Sequence, residues 1–131
     1  MLHVFVLLAT VSSPFDYSAE ERCVAAVKAT TQGLALYEPC KAAAAHQRMR
    51  LARATDPHER QEAEAAVAMM ESYEAVGAHR LKRFRERDTL RAEARQTWEA
   101  LQRDGYSEHL RDQSRKMLVC FYSDPRAPFC K

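Results

Sequence analysis

Between Pro57 and about Arg103 the chain carries no residue that ends a helix outright. A straight helix of that length would run ~70 Å, much longer than a compact 15.0 kDa body is wide. The stretch must be helical, and it must also bend or change partner. Apolar spacing marks where. Met70, Tyr73, Gly77, Leu81 and Phe84 share one register, which fails from Arg85 to Thr89 and resumes offset at Leu90, Ala94, Trp98 and Leu101. A bend is expected near Gly77 or Arg85–Asp88. Asp56 as N-cap, Pro57 as first helical residue and Glu59 in the first turn start the helix, and Asp104-Gly105 ends it.

The remaining chain reads the same way. Ser18-Ala19-Glu20-Glu21 is a capping box, and a seam of Cys23, Val27, Thr30, Leu34 and Tyr37 follows it at 4-3-4-3 spacing. Because that register passes through Gly33 unbroken, one continuous helix is expected up to Pro39, which stops it and opens the next. That second helix, about Pro39 to Ala54, has a thin seam of Ala42, Ala45, Met49 and Ala52. Ser107 caps a last helix to about Tyr122, with Leu110, Ser114, Met117, Leu118 and Phe121 inward. The fold class is thus all-α, an elongated hairpin or bundle of about four helices around one long, bent central helix. Residues 1–17 form an apolar N-terminal segment and 18–131 a single helical domain ending in a cysteine-bearing loop.

Such a bundle is short of glue. Leu, Val and Phe number 24 of 131 residues, with no Ile, about 18 %, below the ~20 % at which chains struggle to build a core. Net charge is only +2, so self-repulsion does not enforce disorder. Chains in this position are often stapled in oxidising compartments, and Cys23, Cys40, Cys120 and Cys130 are the disulfide candidates. On a continuous first helix Cys23 and Cys40 would stand ~25 Å apart, whereas a bridge needs Cα atoms within ~7 Å. Bridges from the N-terminal region to Cys120 and Cys130 are therefore favoured. The competing pairing is Cys23–Cys40 with Cys120–Cys130, the latter closed by Asp124-Pro125 and Pro128.

Arg83, Arg87, Arg91 and Arg95 form a row at i+4 spacing, ~18 Å along one side of a helix. Such a row either grips anions or a protein partner, or lies in solvent offset by Glu86, Asp88, Glu93 and Glu99. His58-Glu59-Arg60-Gln61-Glu62 brushes the HExxH zinc pattern, but Glu62 stands at the second histidine and capping accounts for the acids. His46, His79 and His109 fall on separate segments. No CxxC and no glycine-rich phosphate loop occurs, so no catalytic, cofactor or metal set is expected. The near-neutral charge disfavours nucleic acid. Residues 1–13 (MLHVFVLLATVSS) are too short as a helix for a ~30 Å hydrocarbon core, and read as a docking or anchor segment on a membrane surface or as a leader.

Cys120-Phe-Tyr-Ser-Asp-Pro-Arg-Ala-Pro-Phe-Cys130 has CX9C spacing and resembles one half of the twin-CX9C signature of small mitochondrial intermembrane-space proteins. The resemblance covers 11 residues; the other pair is CX16C, and two prolines stand where that family has helix. It implies oxidised cysteines on a helical scaffold. The expected function is a non-enzymatic accessory subunit of a larger, membrane-associated complex of mitochondrial respiratory type, contacting other protein subunits through helix faces. The alternatives are a free-standing secreted or periplasmic helical protein and an RNA-contacting subunit of a ribonucleoprotein.

Overall fold

The computed structural model describes residues 15–29, 34–123, 127 and 130, with only the backbone of 34 and 35. The apolar segment 1–13 and Gly33 lie outside the described residues. The described chain forms five helices: α1 (Ser18–Ala29), α2 (Leu34–Arg53), α3 (Pro57–Arg80), α4 (Phe84–Asp104) and α5 (Glu108–Tyr122). The all-α class holds, with five helices in place of about four.

Each helix runs antiparallel to the next. Cys23 faces Cys40 and Glu20 faces Gln47 across α1–α2. Glu71 meets Arg48 and Glu59 meets Arg50 across α2–α3. Gln61 reaches the Asp104 carbonyl and His79 meets Arg87 across α3–α4, and Arg91 reaches the Phe121 carbonyl across α4–α5. The helix α3 is the shared centre and touches all four others.

Two cores flank α3. One gathers Cys23, Leu36, Cys40, Ala43, Ala44 and Met70 from α1, α2 and α3. The other gathers Ala65, Ala68, Ala94, Trp98, Leu101 and Leu110 from α3, α4 and α5. Met69 packs against both. Buried on two sides, α3 needs small residues rather than one apolar stripe, and Ala63, Ala65, Ala68, Ala75, Gly77 and Ala78 supply them. Close backbone approach then replaces the missing large side chains. Trp98, fully buried, is the largest residue of the second core.

The second-helix seam expected at Ala42, Ala45, Met49 and Ala52 is exposed, the buried side being Cys40, Ala43, Ala44 and Gln47, and three further sequence expectations are corrected. First, helix one is not continuous to Pro39: α1 ends at Ala29 and α2 starts at Leu34. The seam kept its register because both helices turn their apolar side to the same core. Second, Pro39 lies inside α2 and does not stop it. Pro39 forfeits a single intrahelical bond, while Tyr37, Cys40, Ala43, Ala44 and Gln47 bury one face across it. Third, with the fold-back in place, the bridges join Cys23 to Cys40 and Cys120 to Cys130, with Cα separations of 4.6 and 5.5 Å. The favoured long-range bridges do not form, because Cys23 and Cys40 are neighbours on adjacent helices.

The expected bend is a complete break at Leu81–Arg83. Lys82 adopts φ 61°, its N–H bonds the His79 carbonyl at 3.0 Å, and the Arg83 N–H bonds the Ala78 carbonyl at 2.8 Å. This is a Schellman stop with lysine at the left-handed position that glycine usually fills. Gly77 stays helical and serves packing instead: a Cβ there would stand 2.6 Å from the Tyr37 Cα.

The caps at Asp56 and Ser107 are as the sequence reads, but the Ser18–Glu21 capping box does not form: Ser18 is already in α1, and the Glu21 N–H bonds the Tyr17 carbonyl. Asp56 accepts from the Glu59 N–H at 2.9 Å, and Ser107 from the Leu110 N–H at 3.1 Å. At α1, Asp16 accepts from the Ser18 N–H at 2.9 Å, which holds its carboxyl below the usual aspartate value. Gly105 closes α4 by donating to the Leu101 carbonyl at 2.9 Å.

Candidate functional site

The arginine row lies along α4, and neighbouring helices reach it. Arg83 donates to the Tyr37 hydroxyl at 3.1 Å and stacks over that ring at 4.8 Å. Arg87 stacks over Phe84 at 4.9 Å, pairs with Asp88 at 2.8 Å and donates to His79 Nδ1 at 2.7 Å. Because a guanidinium has no acceptor, that bond places the His79 proton on Nε2. Arg91 donates to the Phe121 carbonyl at 2.9 Å and stacks over Tyr122 at 5.0 Å. Arg95 pairs with Glu99 at 2.9 Å and reaches the same ring at 5.7 Å. Stacking and carbonyl contacts thus fix the guanidinium planes, which a row of flexible side chains would not achieve alone.

Arg87 and Arg91 line a groove of about 740 Å³ between α3 and α4, with Ala75, Val76, His79, Arg80 and Asp88. Arg80 sits in the last turn of α3, where the helix dipole favours cations. Phe84 joins this face through its contact with His79, 5.6 Å between ring centroids. Val76 and Phe84 are 36 % and 46 % exposed, large apolar groups left in solvent beside the cations. A second groove, past Arg91, continues along Arg95, Gln96 and Glu99 to Tyr122. Among the described residues Arg91 has no carboxylate partner, so its charge is balanced only by a carbonyl and a ring.

The helix α3 also buries two carboxylates that carry no mark in the sequence. Glu71 is 3 % exposed and accepts from Arg48 at 3.1 Å. Burial and a hydrogen bond shared with Glu93 push its carboxyl up to about 7, against the pull of Arg48. Glu74 is also 3 % exposed, with Oε1 buried and unpartnered, and burial raises its carboxyl too. Their positions in an alanine-rich stretch, with Ala68, Ala75 and Ala78 near them on the helix, are the only local signal. Tyr37 reads in the sequence as a seam residue alone, yet its hydroxyl donates to Glu86 at 2.5 Å and ties α2 to the start of α4.

The HExxH-like stretch is otherwise engaged. His58 stacks on the Tyr106 ring at 4.1 Å, and Glu62 accepts from the Tyr106 hydroxyl at 2.6 Å. Among the described residues no group of three His, Cys, Asp or Glu side chains is arranged to hold a metal ion. His46 pairs with buried Glu20 at 2.7 Å, far from His79 in the chain. Among the described residues no helix is long and apolar enough to cross a membrane. The two disulfides are compatible with an oxidising compartment.

No protein-family model matches the sequence, and no curated protein or solved structure matches it.

Proposed function

We propose that this chain is a non-enzymatic accessory subunit that docks onto another protein through the α3–α4 face. One observation carries the reading: exposed Val76 lines a groove with ordered arginines, and exposed Phe84 flanks it against His79 and Arg87. Aromatic and arginine side chains together are the composition of binding hot spots, and an apolar pair left in water gains free energy when covered. The helices are held by intrachain bridges and two alanine-lined cores, so the face is presented on a rigid frame. A membrane-associated complex facing the mitochondrial intermembrane space is the narrower form of the proposal. The two disulfides and the CX9C spacing of Cys120 and Cys130 support it. Residues 1–13 would then contact the membrane surface.

The test is native purification under non-reducing conditions, followed by sizing and mass spectrometry, for the wild type and for Phe84→Asp. The expected result is a stoichiometric assembly well above 15.0 kDa from which the variant is released. A monodisperse monomer that unfolds cooperatively overturns the proposal and favours the free-standing secreted or periplasmic protein.

A further inference from the structure

We infer that the outer side of α1 is the docking site for the chain's own apolar segment, residues 1–13. That side is one helical stripe. Tyr17, Glu21, Val24, Ala25 and Lys28 recur at i, i+4, i+7, i+8 and i+11, and all are exposed. With Glu20 they line a groove of about 450 Å³. The opposite side of α1 is already engaged, Cys23 with Cys40 and Glu20 with His46 and Gln47. Tyr17 and Val24 are left as exposed large apolar groups.

Three properties of the chain favour residues 1–13 as the occupant. The first is apolar content. The segment holds seven of the 24 Leu, Val and Phe residues and no Asp, Glu, Lys or Arg, and each of those side chains gains free energy by burial. The second is where the segment ends. Pro14 disfavours the α conformation at Ser13, which separates the segment from α1. Phe15 packs against Tyr17 at 4.8 Å and against His46 at 4.4 Å between ring centroids, so the chain enters beside the first residue of the groove. Pro14, Phe15 and Asp16 alone separate the segment from Tyr17, within the ~2–5 residues that join two antiparallel helices. The third is length. Wound as a helix, the segment would reach ~20 Å, and the stripe from Tyr17 to Lys28 runs ~17 Å. Tethered this closely, the segment meets the groove at an effective concentration on the order of millimolar, so modest apolar burial is enough to seat it.

The inference goes beyond the accessory-subunit reading and does not depend on the α3–α4 face. A bilayer that engages residues 1–13 would have to draw them from this seat.

The test is photocrosslinking of the oxidised full-length chain in lipid-free buffer, with p-benzoylphenylalanine in place of exposed Val24. Links are expected from position 24 to residues 1–13 of the same molecule, at monomer mass and independent of protein concentration. The control carries the probe in place of His109, exposed on α5, a helix that does not touch α1 among the described residues. Its yield of links to residues 1–13 should be about tenfold lower or less. Leu7→Asp combined with Leu8→Asp should cut the yield from position 24 about tenfold or more. Retention of the Cys23–Cys40 bridge, read by non-reducing mass spectrometry, shows that α1 still lies on α2 in that variant.

Links confined to a second copy, at dimer mass and rising with concentration, assign the groove to self-association and overturn the inference. So does an equal yield from position 109, an unchanged yield in the doubly substituted chain, or the absence of any link to residues 1–13. In that last case, links to lipid once phosphatidylcholine vesicles are added assign the groove to a bilayer.

Discussion

Gly77 lies directly against the backbone of Tyr37, so that a Cβ on Gly77 would meet the Tyr37 Cα at 2.6 Å and its amide nitrogen at 2.8 Å. Backbone atoms cannot swing aside as a flexible side chain can. At an exposed helical position, glycine to alanine gains ~0.5–1 kcal/mol through backbone entropy. Here the close approach reverses the sign. Gly77→Ala should force α2 and α3 apart and cost ~1–3 kcal/mol, read as a lower urea midpoint. A midpoint above wild type would show that the two helices do not cross this closely.

Lys82 presents the opposite case. It holds φ 61° at the stop between α3 and α4, a conformation that costs a non-glycine residue ~1–2 kcal/mol. Lys82→Gly relieves that cost and adds some unfolded-state freedom. A net gain of ~0.5–1 kcal/mol is expected by thermal or urea denaturation. A loss of stability would rule out the left-handed stop.

Trp98 fills the second core, and its indole Nε1 has no hydrogen-bond partner. Trp98→Ala should cost ~3–5 kcal/mol through lost burial and a cavity. Trp98→Phe removes the unsatisfied donor along with part of the volume, and should cost less than half as much. Equal losses in the two variants would mean that Nε1 is hydrogen-bonded in the folded protein.

The buried Glu71 makes stability depend on pH in an unusual direction. Its carboxyl titrates near 4.5 when unfolded and at about 7 when folded, because burial and the bond with Glu93 outweigh Arg48. Across that window the folded chain holds a proton that the unfolded chain has released. Stability is therefore fully present below the unfolded value and falls as pH rises from 4.5 to about 7. Glu74, raised by burial, adds in the same direction. Above about 7 Glu71 contributes no further slope. Urea titrations across this range should show the fall, and Glu71→Gln should remove most of it. A stability that rises with pH in both proteins would contradict the buried placement.

The two bridges differ in access. Cys23 and Cys40 are 0 % exposed within the first core, whereas Cys120 and Cys130 are partly exposed. Mild reductant followed by alkylation and mass spectrometry should label Cys120 and Cys130 first. Replacing Cys23 and Cys40 together by serine should cost ~2–4 kcal/mol. Simultaneous labelling of all four thiols would show that the bridges open only on global unfolding.

The caps at Asp56 and Ser107, the stop at Gly105 and the seam through Leu90, Ala94, Trp98 and Leu101 were legible because each depends on residues within a few turns of one another. The row from Arg83 to Arg95 was legible for the same reason. The groove beside it was not: Val76, His79 and Arg80 belong to a different helix, and only the α3–α4 packing brings them beside Arg87. Glu71 and Glu74 carry no distinguishing mark in the sequence, since nothing local announces that α3 is covered from both sides.

What the sequence alone determined is an all-α chain with well-marked helix ends and four cysteines compensating a thin core. The tertiary structure decided which helices touch. The seam from Cys23 to Tyr37 has the same spacing whether the chain continues or folds back, because two antiparallel helices facing one core repeat the same periodicity. The end of α1 at Ala29 and the lysine-bearing stop at Lys82 carry no strong local signal. Their positions are set by the apolar area that the packed helices bury and by the close approach of their backbones, with Gly77 against Tyr37 and Cys23 against Cys40.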